Sequence, residues 1–254
     1  MGSGAAAMSC VSRTAIIFAG SSLPPAVRPS DPVLEWRRQS SRARCTGRPD
    51  LPGDHRHHRR LFRGDADGLH KEILWAMARG IHVYGGASIG ALRAAELHRF
   101  GMTGAGRVFA DYRDGILTDD DEGAVLHGPE ELVYPAVTEA MVNIRATFEQ
   151  ARAEGAVPGW LAFRLTEIGE ALFYKERSWE TVFRLAAVGG LPPGPLADLV
   201  AWLLIRQVDQ KRIDAVETVE SVRAHFATGV MPLTVSYRFQ DTGHHKAAAR
   251  QATI

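Results

Sequence analysis

The segment from Val83 to Glu96 constrains the fold of this chain more than any other. A short apolar stretch ends at Gly85-Gly86, and a run of helix-favouring residues begins at or near Ser88. The N–H groups of a first helical turn have no partners within the helix, so such a turn gathers them at one point. The segment therefore predicts a buried strand, a glycine turn and a helix. The start of that helix suits an anion, a carbonyl oxygen or a nucleophile.

Two interpretations of Ser88 remain open at this level. The sequence from Gly86 to Gly90 has the G-x-S-x-G spacing of a nucleophile elbow, a motif that requires a strand, a turn and a helix. Serine is also a favoured N-cap residue, and glycine pairs are common in turns. The spacing alone is compatible with a catalytic serine and with a helix cap.

Composition excludes some classes of function. The 254 residues carry a formal net charge of +1, which offers no global electrostatic case for nucleic-acid or membrane binding. Cys10 and Cys45 have no zinc-ligand spacing, and we do not expect a disulfide framework. Residues 1–14 lack the pattern of a signal peptide, and we expect them to be a disordered leader with Met8 as the natural start. We therefore expect a cytoplasmic protein without a metal or other cofactor.

The order of apolar and helical stretches predicts an α/β fold. A parallel-sheet N-terminal core domain is expected over residues 15–150, because strands at 15–20, 81–84 and 124–129 alternate with helical stretches at 70–80 and after Ser88. On the helix after Ser88, Leu92, Ala95 and Phe100 are expected to face inward, with Arg93 and Glu96 outward. A mostly α-helical C-terminal region follows over 151–230, with a weakly ordered tail at 231–254. Helices are predicted over 138–154, 158–170, 179–188 and 195–226.

Residues 37–69 interrupt this pattern. Nine arginines and three histidines lie between Arg37 and Gly64, without helical or strand periodicity. A basic nucleic-acid arm and a disordered loop are two interpretations. We favour a third, in which part of the segment is a frame-shifted translation. When residues 55–68 are back-translated, a shift of one nucleotide can give a peptide with the pattern of a β-strand ending in Asp-Gly.

Several charged residues are candidates for chemistry. The acidic run 119–122, Asp-Asp-Asp-Glu, is either a solvated loop or a site for Mg²⁺, Ca²⁺ or a general base. His127 ends an apolar stretch, as an acid/base residue or as a histidine bonded to backbone. Arg93 and Glu96 are three residues apart on the predicted helix and are expected to pair. Arg145 suits either a carboxylate clamp or a structural salt bridge.

Together these residues resemble the TfuA-like proteins, named for a component of trifolitoxin biosynthesis. The likeness covers residues 15–36 and 70–150 well and the helical remainder loosely. The matching segments occur in the same order as in that family. They are residues 17–24 (IFAGSSLP), 70–76 (HKEILWA), 86–97 (GASIGALRAAEL), 100–102 (FGM), 112–115 (YRDG), 119–122 (DDDE), 125–129 (VLHGP) and 139–147 (EAMVNIRAT).

The chain departs from the family pattern at three places. Ser21 stands where the family usually has proline, and Gly123 where it usually has valine. Residues 37–69 do not match, although the family has there a strand ending in Ile-Asp-Gly-Tyr-Phe. The frame-shifted peptide restores this Ile-Asp-Gly-Tyr-Phe segment almost completely. The resemblance therefore supports the frame-shift hypothesis.

The resemblance implies a role beside another enzyme. TfuA-like proteins accompany YcaO proteins, which activate backbone amides with ATP, in thioamide formation in ribosomally made peptides and in methyl-coenzyme M reductase. It implies as partners a YcaO protein, a thiocarboxylated sulfur carrier and a precursor peptide or protein. The implied role is to recruit YcaO or to release sulfide from the carrier.

Within this role we expect a site at the carboxyl ends of the strands, where open α/β sheets bind ligands. Its candidate catalytic residues are Ser88 as oxyanion donor or nucleophile, with Asp120 or His127 as the base. Its candidate ligand-binding residues are Gly20, Ser22, Gly86, Arg93, Glu96, Asp121 and Arg145.

A stand-alone serine hydrolase is the alternative. Residues 86–92 resemble the elbow of patatin-like lipases, which use a Ser–Asp pair. Labelling of Ser88 by a fluorophosphonate probe distinguishes this alternative from a binding role.

The frame-shift hypothesis predicts a specific DNA result. Resequencing the gene across codons 37–69 should reveal compensating single-nucleotide shifts that restore the strand ending in Asp-Gly. An intact reading frame in a verified gene would refute the hypothesis.

Overall fold

The structure is a computed structural model that describes residues 14–19, 22–38, 66–128 and 136–240. Its first sheet pairs strand β1 (Ala15–Ala19) in parallel with β2 (Leu34–Arg38), with Ala15 opposite Leu34 and Ala19 opposite Arg38. β1 was expected from its apolar run. β2 was not predicted, because Glu35 and the two arginines interrupt its apolar pattern and only Leu34 and Trp36 face the core.

A second parallel pair holds the glycine turns. Helix α1 (Ala66–Met77) precedes strand β3 (Tyr84–Gly85), which pairs with β4 (Thr103–Gly104). Helix α2 (Ser88–Leu97) connects the two strands, and helix α3 (Arg107–Arg113) follows β4. β3 begins at Tyr84, so the strand predicted from Ile81 is much shorter than expected. The predicted strand at 124–129 is absent from its described part, where His127 forms a single antiparallel bridge with Ala136.

The remaining helices form the C-terminal region. They are α4 (Met141–Ala153), α5 (Gly159–Ala171), α6 (Trp179–Val188), α7 (Pro193–Arg206) and α8 (Gln210–Ala227). Helices α4 to α7 share one core, whose fully buried members include Ile144, Phe148, Leu161, Leu165 and Leu199. The predicted helix over 195–226 is two helices, because Asp209 starts a new one by accepting a hydrogen bond from Arg212 N–H (3.0 Å). The predicted fold class, parallel strands followed by a mostly helical region, is confirmed.

Helix α2 faces the core differently from the prediction. Arg93 was expected to point outward, yet it is only 7% exposed, whereas Phe100 was expected inward and is 45% exposed. The buried face of α2 is formed by Ala91, Ala94 and Leu97 around the arginine. Small side chains let neighbouring elements approach closely, so Arg93 is covered along its length, and its guanidinium pairs with the partly exposed carboxylate of Glu96.

Helix α8 returns to the N-terminal half and lies at the carboxyl ends of β3 and β4. Asp214 on α8 accepts a hydrogen bond from Val108 N–H at the start of α3 (2.7 Å) and another from the Gln210 amide (2.6 Å). Val219 and Val222, also on α8, pack with Leu34 of the first sheet. Helix α8 is therefore integral to the N-terminal core. It also lies at the edge of the sheet where ligands bind in α/β folds.

Replacing Asp214 tests this attachment. The Asp214→Ala variant leaves the buried Val108 N–H and the Gln210 amide without their acceptor, and each such loss costs about 1–3 kcal/mol. We expect the free energy of unfolding to fall by about 2–4 kcal/mol in chemical denaturation. The exposed Asp198 on α7 is the matched control, and Asp198→Ala should change stability by less than about 0.5 kcal/mol. Equal effects of the two variants would contradict the attachment.

Candidate functional site

Two glycine turns lie side by side at the ends of β3 and β4. At the first, a Cβ on Gly86 would lie 1.8 Å from Thr218 Oγ1 of α8. At the second, Gly106 has φ +88°, and a Cβ there would lie 2.4 Å from the Asp214 carboxyl carbon. Both turns therefore require glycine because α8 approaches their backbone directly. The two helix starts at Ser88 and Arg107 face the same helix.

The turn before α2 is strained one residue ahead of the serine. Ala87 has φ +58° and ψ −140°, a backbone conformation that costs a non-glycine residue about 1–3 kcal/mol. In a nucleophile elbow the serine itself occupies the strained turn. Here Ser88 is the first helical residue, and Ala87 holds the N-cap position without a capping side chain. The G-x-S-x-G spacing left two interpretations of Ser88 open, a nucleophile in an elbow and a helix N-cap. In the structure Ala87 occupies both the strained position and the N-cap position, and Ser88 occupies neither.

Ser88 makes a tertiary contact with the acidic loop, residues 119–123. Its hydroxyl donates to the carbonyl oxygen of Gly123 (2.8 Å). The ammonium of Lys211, on α8, donates to the same oxygen (2.7 Å). Burial lowers the pKa of Lys211 to about 8, while Asp209 and Glu139 act in the opposite direction. A hydroxyl and a buried ammonium therefore converge on one backbone oxygen.

The Lys211 backbone is fixed by a buried amide. Asn143 on α4 accepts a hydrogen bond from Lys211 N–H (3.1 Å) and donates through its Nδ2 to Glu139 (2.8 Å) and Asp209 (3.3 Å). The pKa of Glu139 is raised, chiefly because burial penalises its charged form. This network sets the position of Lys211 relative to Ser88.

Arginines hold the acidic loop in place. Glu122 is buried and accepts two hydrogen bonds from Arg145 (2.6 and 3.1 Å), which also pairs with Glu170. Asp121 accepts a hydrogen bond from Arg177 (3.0 Å), whose guanidinium is fully buried and also bonds the carbonyls of Gly169 and Leu172. Two of the loop's carboxylates therefore pair with arginines. No group of three or more His, Cys, Asp or Glu suited to a metal ion occurs among the described residues.

The other two acidic residues of the loop are Asp119 and Asp120. Asp120 is exposed, and Asp119 accepts through its backbone oxygen a hydrogen bond from the Tyr112 hydroxyl (2.8 Å). The pKa of Tyr112 is raised by burial and by the carboxylates of the acidic run. His127 is exposed beside Ala136. The Ser88 hydroxyl hydrogen is directed to Gly123 rather than to Asp120 or His127.

A second polar cluster joins α1 to α2. Glu96 accepts hydrogen bonds from Arg93 (2.5 Å) and His70 (2.6 Å), as the three-residue spacing of Arg93 and Glu96 indicated. Glu72 of α1 is 6% exposed with one carboxylate oxygen unpartnered, and burial raises its pKa to about 7. The Nε of Arg93 is likewise buried without a partner.

Two predicted ligand residues belong to the first sheet. Ser22 lies in the turn after β1, half-buried, and Gly20 falls outside the described residues. The structure thus brings Ser88, Gly86 and the acidic loop together, and keeps Arg93 and Glu96 as a separate pair.

Sequence reasoning missed the contribution of α8. Lys211, Asp214 and Thr218 occupy positions i, i+3 and i+7, which place them on one face of a helix. This spacing was visible in the sequence, but three polar residues at helical spacing usually mark a solvated face. No feature of the neighbouring sequence indicated that this face of α8 packs against the two glycine turns, which lie more than 100 residues earlier in the chain.

The Gly123 position explains how tightly the loop approaches Ser88. A Cβ on residue 123 would lie 2.8 Å from Ser88 Cα and 3.0 Å from its Oγ. A side chain therefore cannot be added here unless the backbone moves. The absence of a side chain at Gly123 allows its carbonyl to reach both donors.

A comparison with models of known protein families identifies a similarity over part of the chain. Residues 61–178 match the model of the TfuA-like protein family. The matched range includes the strand-turn-helix segment, the acidic loop and the Arg93–Glu96 pair. No curated protein is significantly similar to the chain. Among the described residues, no helix combines the length and apolar character needed to cross a bilayer.

Adding a methyl group at residue 123 should disturb the site. We expect Gly123→Ala to lower the free energy of unfolding by about 1–3 kcal/mol, because the loop must move away from Ser88. Gly194→Ala is the matched control, since a Cβ there meets no atom within 4 Å. Chemical denaturation measures both, and a Gly123→Ala variant as stable as the control would contradict the close approach.

The matched range contains the quoted segments from residue 70 to residue 147, so the likeness inferred from the sequence is confirmed there, whereas residues 17–24 lie outside the match. The chain contains a TfuA-like region over residues 61–178.

Proposed function

We propose that this protein is an accessory factor for YcaO-dependent backbone thioamidation of a peptide or protein. The observation that carries the proposal is the match of residues 61–178 to the TfuA-like family, which is associated with YcaO-dependent thioamide formation. In this role the protein recruits the YcaO partner, releases sulfide from a thiocarboxylated sulfur carrier, or does both.

The site geometry supports a role in handling an acyl group. Ser88 and Lys211 direct two donors to one carbonyl oxygen. Donors fixed in a site with little water stabilise the oxyanion of acyl transfer. In the hydrolytic version, Ser88 binds or attacks the acyl carbon, with Asp120 or His127 as the proposed base. Gly86, Asp121 and Arg145 shape the surrounding turn and loop, and the Arg93–Glu96 pair with Ser22 and Gly20 are proposed to contact the carrier.

A direct assay tests this function. The purified protein is mixed with a thiocarboxylated carrier and a YcaO protein, and sulfide release and complex formation are measured separately. We expect at least one of the two activities. If Ser88 is the nucleophile, Ser88→Ala should lower sulfide release about a thousandfold or more, whereas the exposed Ser30→Ala should leave it unchanged. Neither sulfide release nor YcaO binding by the wild-type protein would remove the proposal.

A stand-alone serine hydrolase is the second candidate. The favouring observation is that G-x-S-x-G lies on a strand, a turn and a helix, as the motif requires. The strain at Ala87 rather than Ser88 counts against it. Fluorophosphonate labelling that disappears in Ser88→Ala would favour the hydrolase, and absence of labelling would favour a binding role.

A further inference from the structure

The shared Gly123 oxygen has the surroundings of a bound carboxylate oxygen. It accepts hydrogen bonds from the Ser88 hydroxyl (2.8 Å) and from the Lys211 ammonium (2.7 Å). The distance between Ser88 Oγ and Lys211 Nζ is therefore no greater than the sum of these two hydrogen-bond lengths. Charge-assisted donors converging on one oxygen are typical of carboxylate and oxyanion sites. The internal carbonyl therefore occupies a position suited to a negatively charged oxygen.

The charge of Lys211 is poorly balanced by its hydrogen-bond partner. Its side chain is buried at 5% exposure, and the group that it contacts is a neutral carbonyl. Among the described residues, no carboxylate lies within the 4 Å of a salt bridge to this ammonium. Glu139 and Asp209 act from farther away. Burying a charge without a close counter-ion is costly, so an anion at the Gly123 oxygen position would be favoured.

A local rotation is enough to empty this position. The side chains of Asp121 and Glu122 are held by Arg177 and Arg145, but Gly123 has no side chain. The peptide group between residues 123 and 124 turns through ψ of Gly123, which no side chain restricts, and φ of Ala124, so its carbonyl can turn away from Ser88. The turn hydrogen bond from Ala124 N–H to Asp121 O (2.9 Å) would be lost, at a cost of about 1 kcal/mol. The arginine pairs can remain intact during this movement.

We propose that Ser88 Oγ and Lys211 Nζ bind the C-terminal carboxylate or thiocarboxylate of a peptide chain, at the position that the Gly123 carbonyl oxygen occupies here. The choice of ligand rests on the proposed function, since a sulfur carrier presents such a terminus. Lys211 supplies the positive charge and Ser88 a neutral donor. The 119–123 loop closes the position when no ligand is bound.

The pH dependence follows from the charge of Lys211. Its pKa is lowered to about 8 in the closed protein, and a bound anion favours the ammonium and raises this pKa. The charged groups facing it are Glu139, from the segment before α4, and Asp209, at the start of α8. Ser88 of α2, Gly123 of the loop and Asn143 of α4 are neutral. Affinity should therefore be highest below pH 8 and should fall as pH rises through 8.

The first experiment uses a defined probe. Fluorescein-labelled tetraglycine with a free C-terminal carboxylate is compared with the same peptide ending in an amide, by fluorescence anisotropy at pH 7. We expect the wild-type protein to bind the carboxylate form at least about tenfold more tightly, equivalent to about 1.4 kcal/mol. In Lys211→Met this preference should fall below about twofold, and Ser88→Ala should reduce it in part. The exposed Lys175→Met is the matched control and should keep the preference.

Lys211→Met is expected to fold, because replacing a buried charge by an apolar side chain of similar volume is often neutral or stabilising. Thermal denaturation of each variant checks this. As a second measurement on the wild-type protein, NMR of ¹⁵N-labelled lysine side chains should show Lys211 titrating near pH 8 alone and at higher pH with the carboxylate peptide. A titration that does not respond to the peptide would overturn the proposal.

The remaining outcomes are also decisive. Equal binding of carboxylate and amide peptides by the wild-type protein, no binding of either peptide, or unchanged selectivity in Lys211→Met would each overturn the carboxylate site. If sulfide release or YcaO binding then persists, the proposed function stands without this site. If carboxylate selectivity is found but neither of those activities is, the site stands and the proposed function fails.

Discussion

The hydrogen bonds of α8 to the strand ends are the contacts on which the candidate site depends. Asp214 accepts from the start of α3, and Lys211 donates to the acidic loop beside the start of α2. A carboxylate at a helix N-terminus is favoured by the unpaired N–H groups and by the helix dipole. These contacts hold helix α8 against segments that lie 106 and 88 residues earlier in the chain.

The acidic loop has a structural role and a positional one. Arg145 and Arg177 bind two of its carboxylates, and both arginines belong to the helical region. Pairing of this kind relieves the repulsion between adjacent carboxylates. The loop therefore connects the helical region to the strand ends. Its last residue, Gly123, brings a carbonyl to the two donors that we propose as a carboxylate site.

The buried groups between α1 and α2 are a different kind of feature. Arg93 and Glu72 each carry a buried polar atom without a partner, and Glu96 balances the arginine near the surface. Unsatisfied buried atoms are uncommon in native proteins. Both residues lie in segments that match the TfuA-like family. Among the hydrogen bonds of the described residues, none joins either of them to the Ser88 turn. We assign them no separate activity.

Local sequence determined the strand-turn-helix at Ser88, strand β1, the Arg93–Glu96 pair and most helices of the C-terminal region. Periodicity, glycine and proline act over a few residues, so these elements could be read directly. The short segments that match the TfuA-like family also predicted the TfuA-like region from the sequence alone. The short length of β3, the outward position of Phe100 and the strand β2 were not predictable, because the packing of distant elements decides them.

Only the tertiary structure decided what surrounds Ser88. The serine hydroxyl meets Gly123, and a lysine from α8 meets the same oxygen, so the partners come from three separate parts of the chain. Spacing within a motif contains no information on such contacts, since they depend on how helices pack over the strand ends. The sequence thus determined that a helix starts at this point, and the fold decided that its serine shares the Gly123 oxygen with a buried ammonium.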